Sequence, residues 1–188
     1  MEPLTRTQVL VAMGVTALVL LLIAKLWLQF GAVSMLPLSW SGLAIPLGIG
    51  LGVGITVVSS VIYRLWPAYR KSADFHLNLV LKPLLWPDLI WLGLLPGLSE
   101  ELLFRGVMLA AFGLNLLSLT LSSLLFGILH LSGSQQWPYA VWATMVGFLL
   151  GFSALETHNL LIPILAHVTA NLVSSCLWKL DENNEPSF

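Results

Sequence analysis

Long stretches without charge decide what this chain can fold into. Gln8 to Phe30 carries one ionisable residue, Lys25, and is long enough to cross a bilayer core, which takes about 20 helical residues. It reads as a first transmembrane span. As a signal peptide its apolar run is too long, and no small-x-small cleavage site is obvious after it. Lys25 lies near the span's end, where it snorkels toward the headgroups. Further apolar segments follow at Leu43–Trp66, Pro87–Phe112, Leu116–Leu131, Pro138–Leu155 and Leu160–Leu177. The expectation is therefore an all-α fold, a polytopic membrane helix bundle of about six transmembrane helices, with residues 1–188 forming one domain. With 57% of residues hydrophobic and only 9% charged, an ordinary water-soluble domain is excluded. A net charge of -1 leaves no basic surface for nucleic acid, and the single cysteine, Cys176, rules out an intrachain disulfide or a thiolate metal cluster.

Orientation follows from the loops. Arg64, Arg70, Lys71 and Lys82, set against Asp74, make the segment after the second span the one clearly basic connection, so it is expected to be cytoplasmic together with both chain ends. Most of the eight tryptophans, among them Trp27, Trp40, Trp66, Trp86, Trp137 and Trp178, fall near proposed span ends, as in an aromatic belt. Gly31 to Ser41 reads as a short uncharged turn. Gly48, Gly50, Gly52 and Gly54 give the second span small residues that let another helix approach. His76 and His158 read as an interfacial and a solvated histidine, and a short acidic tail ends the chain. The third hydrophobic segment is expected to be broken or re-entrant: Pro96-Gly97 should interrupt the helix, with Ser99 capping a new one.

Within that third segment, Ser99-Glu100-Glu101-Leu102-Leu103-Phe104-Arg105-Gly106 places three ionisable side chains in an apolar run. Charges there must be paired, face a wet cavity or titrate to neutrality, so the stretch marks either a functional site or a structural polar lock. Glu101 and Arg105 are four apart and share a helical face, whereas Glu100 points about a quarter turn away. The pair would satisfy Glu101 and leave Glu100 free to work. His130 ends the fourth span with Phe126 on the same face. Counted from Leu114, Glu100 is fourteen residues back and His130 sixteen forward, a depth difference of only ~3 Å at the helical rise. His167 and Asn171, again four apart, lie inside the last span at a similar depth. Alone they read as interhelical hydrogen-bonding glue; with Glu100 and His130 they form a polar set converging from three spans.

Such a set suits attack of water on a carbonyl. Glu100 and His130 would act as general base, and His167 with the Asn171 amide would donate to the developing oxyanion. The same residues could instead hold zinc through Glu100, His130 and His167, with the metal activating the water; the sequence leaves the cofactor open between none and zinc. Buried Glu, His and Arg also build proton relays, which keeps a proton-coupled transporter as an alternative, and a non-catalytic membrane scaffold is the third.

Glu100-Glu101-x-x-x-Arg105, Phe126-x-x-x-His130 and His167-x-x-x-Asn171, in that order on successive apolar helices, resemble the three signature motifs of the CAAX-protease and bacteriocin-processing (CPBP, or Abi) family of intramembrane proteases. The likeness runs from about Gly97 to Ser175, inside an expected catalytic core at about 87–178. It implies a glutamate-dependent or metal-dependent endopeptidase acting on a peptide or on a prenylated or otherwise lipidated protein. It also implies a supporting role for Glu101, Arg105 and Phe126, and some members of the family serve as scaffolds or immunity factors. The expected location is the bacterial cytoplasmic membrane or an organelle membrane such as the thylakoid, with the site in the inner half of the bilayer.

Overall fold

The computed structural model describes residues 4–184, and all its regular elements are helical. Helix α1 (Arg6–Phe30) starts at a capping box in which Thr5 and Gln8 satisfy each other's backbone N–H groups. An extended segment leads to α2 (Ala44–Leu65), and Pro67 then opens α3 (Pro67–Val80), whose inner face buries Tyr69, Ser72 and Ala73. A 3-10 turn at Trp86–Asp88 starts α4 (Leu89–Glu101), which continues without a break through a π-helical stretch, Leu102–Met108, into α5 (Leu109–Ala111). Gly113, at a φ of 88°, makes the tight turn that a side chain would strain. Asn115 then caps α6 (Leu116–Leu129). The last two elements are α7 (Trp137–Thr157), ended by His158 in a left-handed conformation, and α8 (Leu161–Asn184). The last residues of the acidic tail, 185–188, lie outside the described residues.

The chain is a helical membrane bundle. Four helices, Arg6–Phe30, Ala44–Leu65, Ser134–Thr157 and Leu161–Glu182, are each long and apolar enough to cross a membrane. The expected six is not reached on that criterion, because Leu116–Leu129 has only 14 residues and the path from Leu89 to Ala111 changes helix type midway. The helical passes nonetheless alternate in direction. At one end of the bundle Arg6 bonds Asp88, Ser72 bonds Gln136, Ser132 bonds His76, and Lys179 reaches the carbonyl of Lys82. At the other end the segment 31–43 meets Gly106 and residues 159–160.

Two expectations need correction. Pro96 does not break the third segment; it lies inside α4, and the Ser99 hydroxyl caps nothing, donating instead to the Leu95 carbonyl at 2.7 Å. The irregularity sits six residues further on, at the π-helical stretch. Gly31 to Ser41 is not a simple turn either. It is an extended strap whose Leu36 is buried against Leu109, Leu119, Ala154, Leu160 and Ile164. The Leu36 N–H donates to the Gly106 carbonyl at 2.9 Å, and Asn159 fastens Ser39 with two hydrogen bonds of 3.0 and 2.8 Å.

The glycines of α2 divide by face. A Cβ at Gly52 would stand 2.5 Å from the Ala166 carbonyl oxygen, and one at Gly48 2.6 Å from Leu165 Cβ, so these two let α8 pack close. Gly50 and Gly54 face open space.

Candidate active site

Three ionisable side chains on one apolar helix need partners, and the structure supplies them from α7 and α8. Arg105 Nη1 donates to Glu101 Oε1 at 2.8 Å, and both side chains are essentially sealed from solvent. The second guanidinium nitrogen, Nη2, donates to the Gly147 carbonyl at 2.8 Å, while the Arg105 guanidinium carbon stacks 4.5 Å from the Phe126 ring centroid. Gly147 is a glycine for a local reason. A Cβ there would lie 3.2 Å from both Arg105 Nη2 and Phe126 Cδ1.

His167 completes the cluster. Its Nδ1 donates to Glu101 Oε1 at 2.8 Å, so one carboxylate oxygen receives both the guanidinium and the imidazole. The other ring nitrogen, Nε2, stands 3.9 Å from Glu100 Oε2. That spacing is too long for a direct hydrogen bond and suits a bridging oxygen. Glu100 Oε2 and Glu101 Oε2 are buried without a hydrogen-bond partner. Glu101 is thus locked from two sides through Oε1, whereas Glu100 makes no hydrogen bond to any described residue and borders the groove described below.

The remaining candidates stand further off. His130 is half-buried at the end of α6; its Nδ1 donates to the Phe126 carbonyl at 2.7 Å and its ring packs 4.6 Å from the Phe126 centroid. Among the described residues no hydrogen bond or ion pair joins it to Glu100. Phe126 is the shared wall, since its other edge meets His167 at 5.9 Å. Asn171 Nδ2 lies 3.5 Å from the Leu92 carbonyl oxygen on α4. The arrangement does not fit a zinc centre made of Glu100, His130 and His167. Among the described residues no three His, Cys, Asp or Glu side chains come close enough together to hold a metal ion.

A groove of about 290 Å³ reaches Glu100 from the side of α1, walled by Val9, Ala12, Met13 and Thr16 and by Leu79 and Val80 at the end of α3. Glu100 is the one ionisable residue in its lining. A second groove, between α2 and α8 with Arg64 at one end, contains none of the site residues.

Sequence reasoning missed three participants. The walls contributed by α1 and α3 carry no polar signal in the sequence. His76 is more than an interfacial residue: its ring stacks on Tyr139 at 4.0 Å, its Nδ1 bonds the Ser72 carbonyl and its Nε2 the Ser132 hydroxyl. Asn159, buried at the opposite end of the bundle, holds the strap and also accepts from the Leu161 N–H. His158, by contrast, is exposed, as its loop position suggests.

Comparison with known proteins adds a family. A family model described as "Type II CAAX prenyl endopeptidase Rce1-like" matches residues 82–173. That stretch includes Glu100, Glu101, Arg105, Phe126, His130, His167 and Asn171 but not the groove walls from α1 and α3. The chain is 28% identical over 129 residues to the uncharacterized protein YpbD of Bacillus subtilis, an alignment covering 69% of this chain and 66% of that protein. It is 36% identical over 94 residues to the uncharacterized protein YyaK of the same organism, covering 46% of this chain and 31% of the relative. The chain therefore spans just under two thirds of the first relative and under a third of the second. No solved structure matches.

Proposed function

We propose that this chain, an integral membrane protein belonging to the Rce1-like family of type II CAAX prenyl endopeptidases, hydrolyses a peptide bond in a membrane-associated, prenylated or otherwise lipidated protein by means of water activated at Glu100. The observation that carries this reading is the uncommitted Oε2 of Glu100, buried at the edge of an apolar groove and 3.9 Å from His167 Nε2. A water held between those two atoms gives its proton to Glu100 as its oxygen bonds to the scissile carbonyl carbon. As the C–N bond breaks, Glu100 returns the proton to the leaving amine. His130, with its Nδ1–H on the Phe126 carbonyl, has Nε2 as an acceptor and supports Glu100 as base. In its doubly protonated form His167 keeps one N–H on Glu101 and offers the other to the oxyanion. The Asn171 amide, one turn further along α8 and 3.5 Å from the Leu92 carbonyl oxygen, is assigned with His167 to the oxyanion. Glu101, Arg105 and Phe126 hold His167 in place.

The end of the bundle that carries Arg6, Lys82 and Lys179 also carries the basic connection after α2, so the positive-inside rule makes it cytoplasmic, together with both chain ends. The Bacillus relatives favour a bacterial cytoplasmic membrane. The test uses full-length protein in proteoliposomes with a farnesylated CAAX peptide, alongside a comparison of membrane peptides and lipoproteins in cells. Glu100→Gln should abolish cleavage in both while leaving the protein folded and inserted. Undiminished cleavage by this variant would sink the proposal, and a pH-gradient-driven flux lost with the same substitution would point to a transporter instead.

A further inference from the structure

His130 stands where a helix is least able to hold its own residues. Helix α6 ends at Leu129, and the residues after His130, Leu131 to Gln135, are all exposed before α7 begins at Trp137. The last carbonyls of a helix have no internal partners, so an end with nothing packed on it frays. The bond from His130 Nδ1 to the Phe126 carbonyl, at 2.7 Å, ties the ring only to that same last turn. Fraying of α6 would carry His130 out of the site, so its place there needs support from another element.

Helix α3 supplies that support. Ser132, two residues past His130, bonds His76 Nε2 at 3.0 Å, and the Ser72 hydroxyl donates to Gln136 Oε1 at 2.8 Å. Among the described residues, the connection 131–136 makes side-chain hydrogen bonds to no helix but α3. The His76 ring has a fixed tautomer: Nδ1 faces the Ser72 carbonyl at 2.9 Å and must carry the proton, which leaves Nε2 to accept from the Ser132 hydroxyl. A row of rings continues the link. His76 lies on Tyr139 at 4.0 Å with the planes 13° apart, Tyr139 neighbours His130 at 6.2 Å, and His130 packs on Phe126 at 4.6 Å. Helix α3 is itself held to α2 and α7, because the buried Tyr69 bonds Ser59 at 3.0 Å and stacks on Tyr139 at 6.4 Å.

We propose that His76 and Tyr139 are positioning residues for His130: His76 grips the connection through Ser132 and backs the Tyr139 ring, and together they hold the end of α6 so that the His130 imidazole stays in the site. The part concerning catalysis rests on the peptidase reading; the part concerning the placement of His130 does not.

The chain has four histidines, so in full-length protein carrying isotope-labelled histidine and reconstituted in bilayers, nitrogen NMR assigns each imidazole by replacing one histidine at a time. In wild type His130 should give one sharp pair of ring-nitrogen signals with Nδ1 protonated, as its bond to the Phe126 carbonyl requires. His76→Ala removes the stack and the bond to Ser132 together. It should broaden or split that pair while leaving the His167 pair in place. With a farnesylated CAAX peptide it should lower kcat roughly 10- to 100-fold with KM held, as expected for misplacement of a reacting group. Tyr139→Leu should act in the same way, whereas Tyr139→Phe, which keeps the ring, should bring kcat back to within about 3-fold of wild type. Ser132→Ala loses only the hydrogen bond and should lower kcat roughly 3- to 10-fold. An undisturbed His130 pair in His76→Ala and Tyr139→Leu overturns the proposal, as does an unchanged kcat in both. A His167 pair disturbed as much as that of His130 also overturns it, since that marks a general loosening of the bundle. If the His130 pair is disturbed but no protein, wild type included, cleaves any substrate, the peptidase reading fails and the positioning of His130 stands. Should His76→Ala and Tyr139→Leu not fold, Ser132→Ala in the exposed connection decides, and an undisturbed His130 pair in that variant overturns the proposal.

Discussion

Arg105 gives the sharpest energetic prediction, because three separate groups depend on it. The guanidinium neutralises Glu101 at 2.8 Å, donates to the Gly147 carbonyl at 2.8 Å and covers the Phe126 ring at 4.5 Å. Arg105→Ala would leave Glu101, wholly buried, with no guanidinium against its charge. Removing one partner of a buried ion pair costs about 3–5 kcal/mol, mostly through the charge left behind. The orphaned carbonyl and the lost ring contact act on the same cavity, so they are not added separately. Taking about 4 kcal/mol and about 2–4 °C per kcal/mol for a chain of this size, Tm should fall by roughly 8–16 °C. If the stranded charge is the main cause, then Arg105→Ala with Glu101→Gln should recover a good part of that loss, since the amide still accepts from His167. Arg105→Lys should fall between, because one ammonium cannot reach Glu101, Gly147 and the ring together. Thermal unfolding in detergent micelles, followed by intrinsic tryptophan fluorescence, measures all four proteins. A double variant no more stable than Arg105→Ala would refute the stranded-charge account, and an unchanged Tm in Arg105→Ala would refute the clamp itself.

Other consequences are simpler to read. The two-pronged bond from Arg6 holds the Asp88 carboxyl down to about 2, from an ordinary value of 3.8. Its stabilising contribution should thus be complete above pH 3.8 and lost as the pH falls through about 2; the Tm difference between wild type and Asp88→Asn should close over that window. Burial pushes the His76 imidazole below its ordinary 6.5, with the nearby His130 charge acting in the same direction. The unfolded chain then binds this proton first as the pH drops, so stability should be greatest above pH 6.5 and decline below it. His76→Phe should keep the stack on Tyr139 and flatten that decline, and a slope unchanged in the variant would count against burial as its cause. Gly52→Ala should destabilise by about 1–3 kcal/mol by pushing α8 away from α2. Gly54→Ala, which meets nothing within 4 Å, should be neutral or stabilising by up to about 1 kcal/mol; equal effects at the two positions would contradict the packing described.

Local rules found what local physics sets. Apolar length located the six apolar passes, though the last helix runs to Asn184 rather than Leu177 and the amphipathic α3, read only as a basic connection, was missed; spacing by four paired Glu101 with Arg105 and put His167 on one face with Asn171. Those relations survive because a helix fixes them whatever surrounds it. The same rules misplaced the break at Pro96: α4 runs on through the proline, and the carbonyl it frees, that of Leu92, lies 3.5 Å from an amide 79 positions away in the sequence. The role of the strap was hidden for a similar reason: nothing in an uncharged Gly, Pro and Ser segment says that it will bond Gly106 and Asn159. His76 and Asn159 lie in polar connections, where a polar residue costs little and so attracts no notice, although both prove to be well bonded.

The path from α4 to α5 shows why these long-range contacts matter to the site. It has irregular places, and each is served by a different neighbour. Asn171 of α8 approaches the Leu92 carbonyl below Pro96, Ser122 of α6 donates to the Phe104 carbonyl at 3.2 Å, and Leu36 of the strap donates to the Gly106 carbonyl at 2.9 Å. The last two lie in the π-helical stretch, where shifting from i+4 to i+5 bonding disturbs the carbonyl ladder. A wider turn there, tolerated because outside donors compensate, is what carries Arg105 into the space between Phe126 and Gly147. With Arg105 held there, Glu101 is fixed, and Glu101 fixes His167. The geometry at Glu100 is thus set by contacts drawn from the strap, α6, α7 and α8 together. It follows that Leu36→Pro, which removes the donor to Gly106, Ser122→Ala, which removes the donor to Phe104, and Asn159→Ala, which unfastens the strap, should each disturb Glu100 and His167 without touching them.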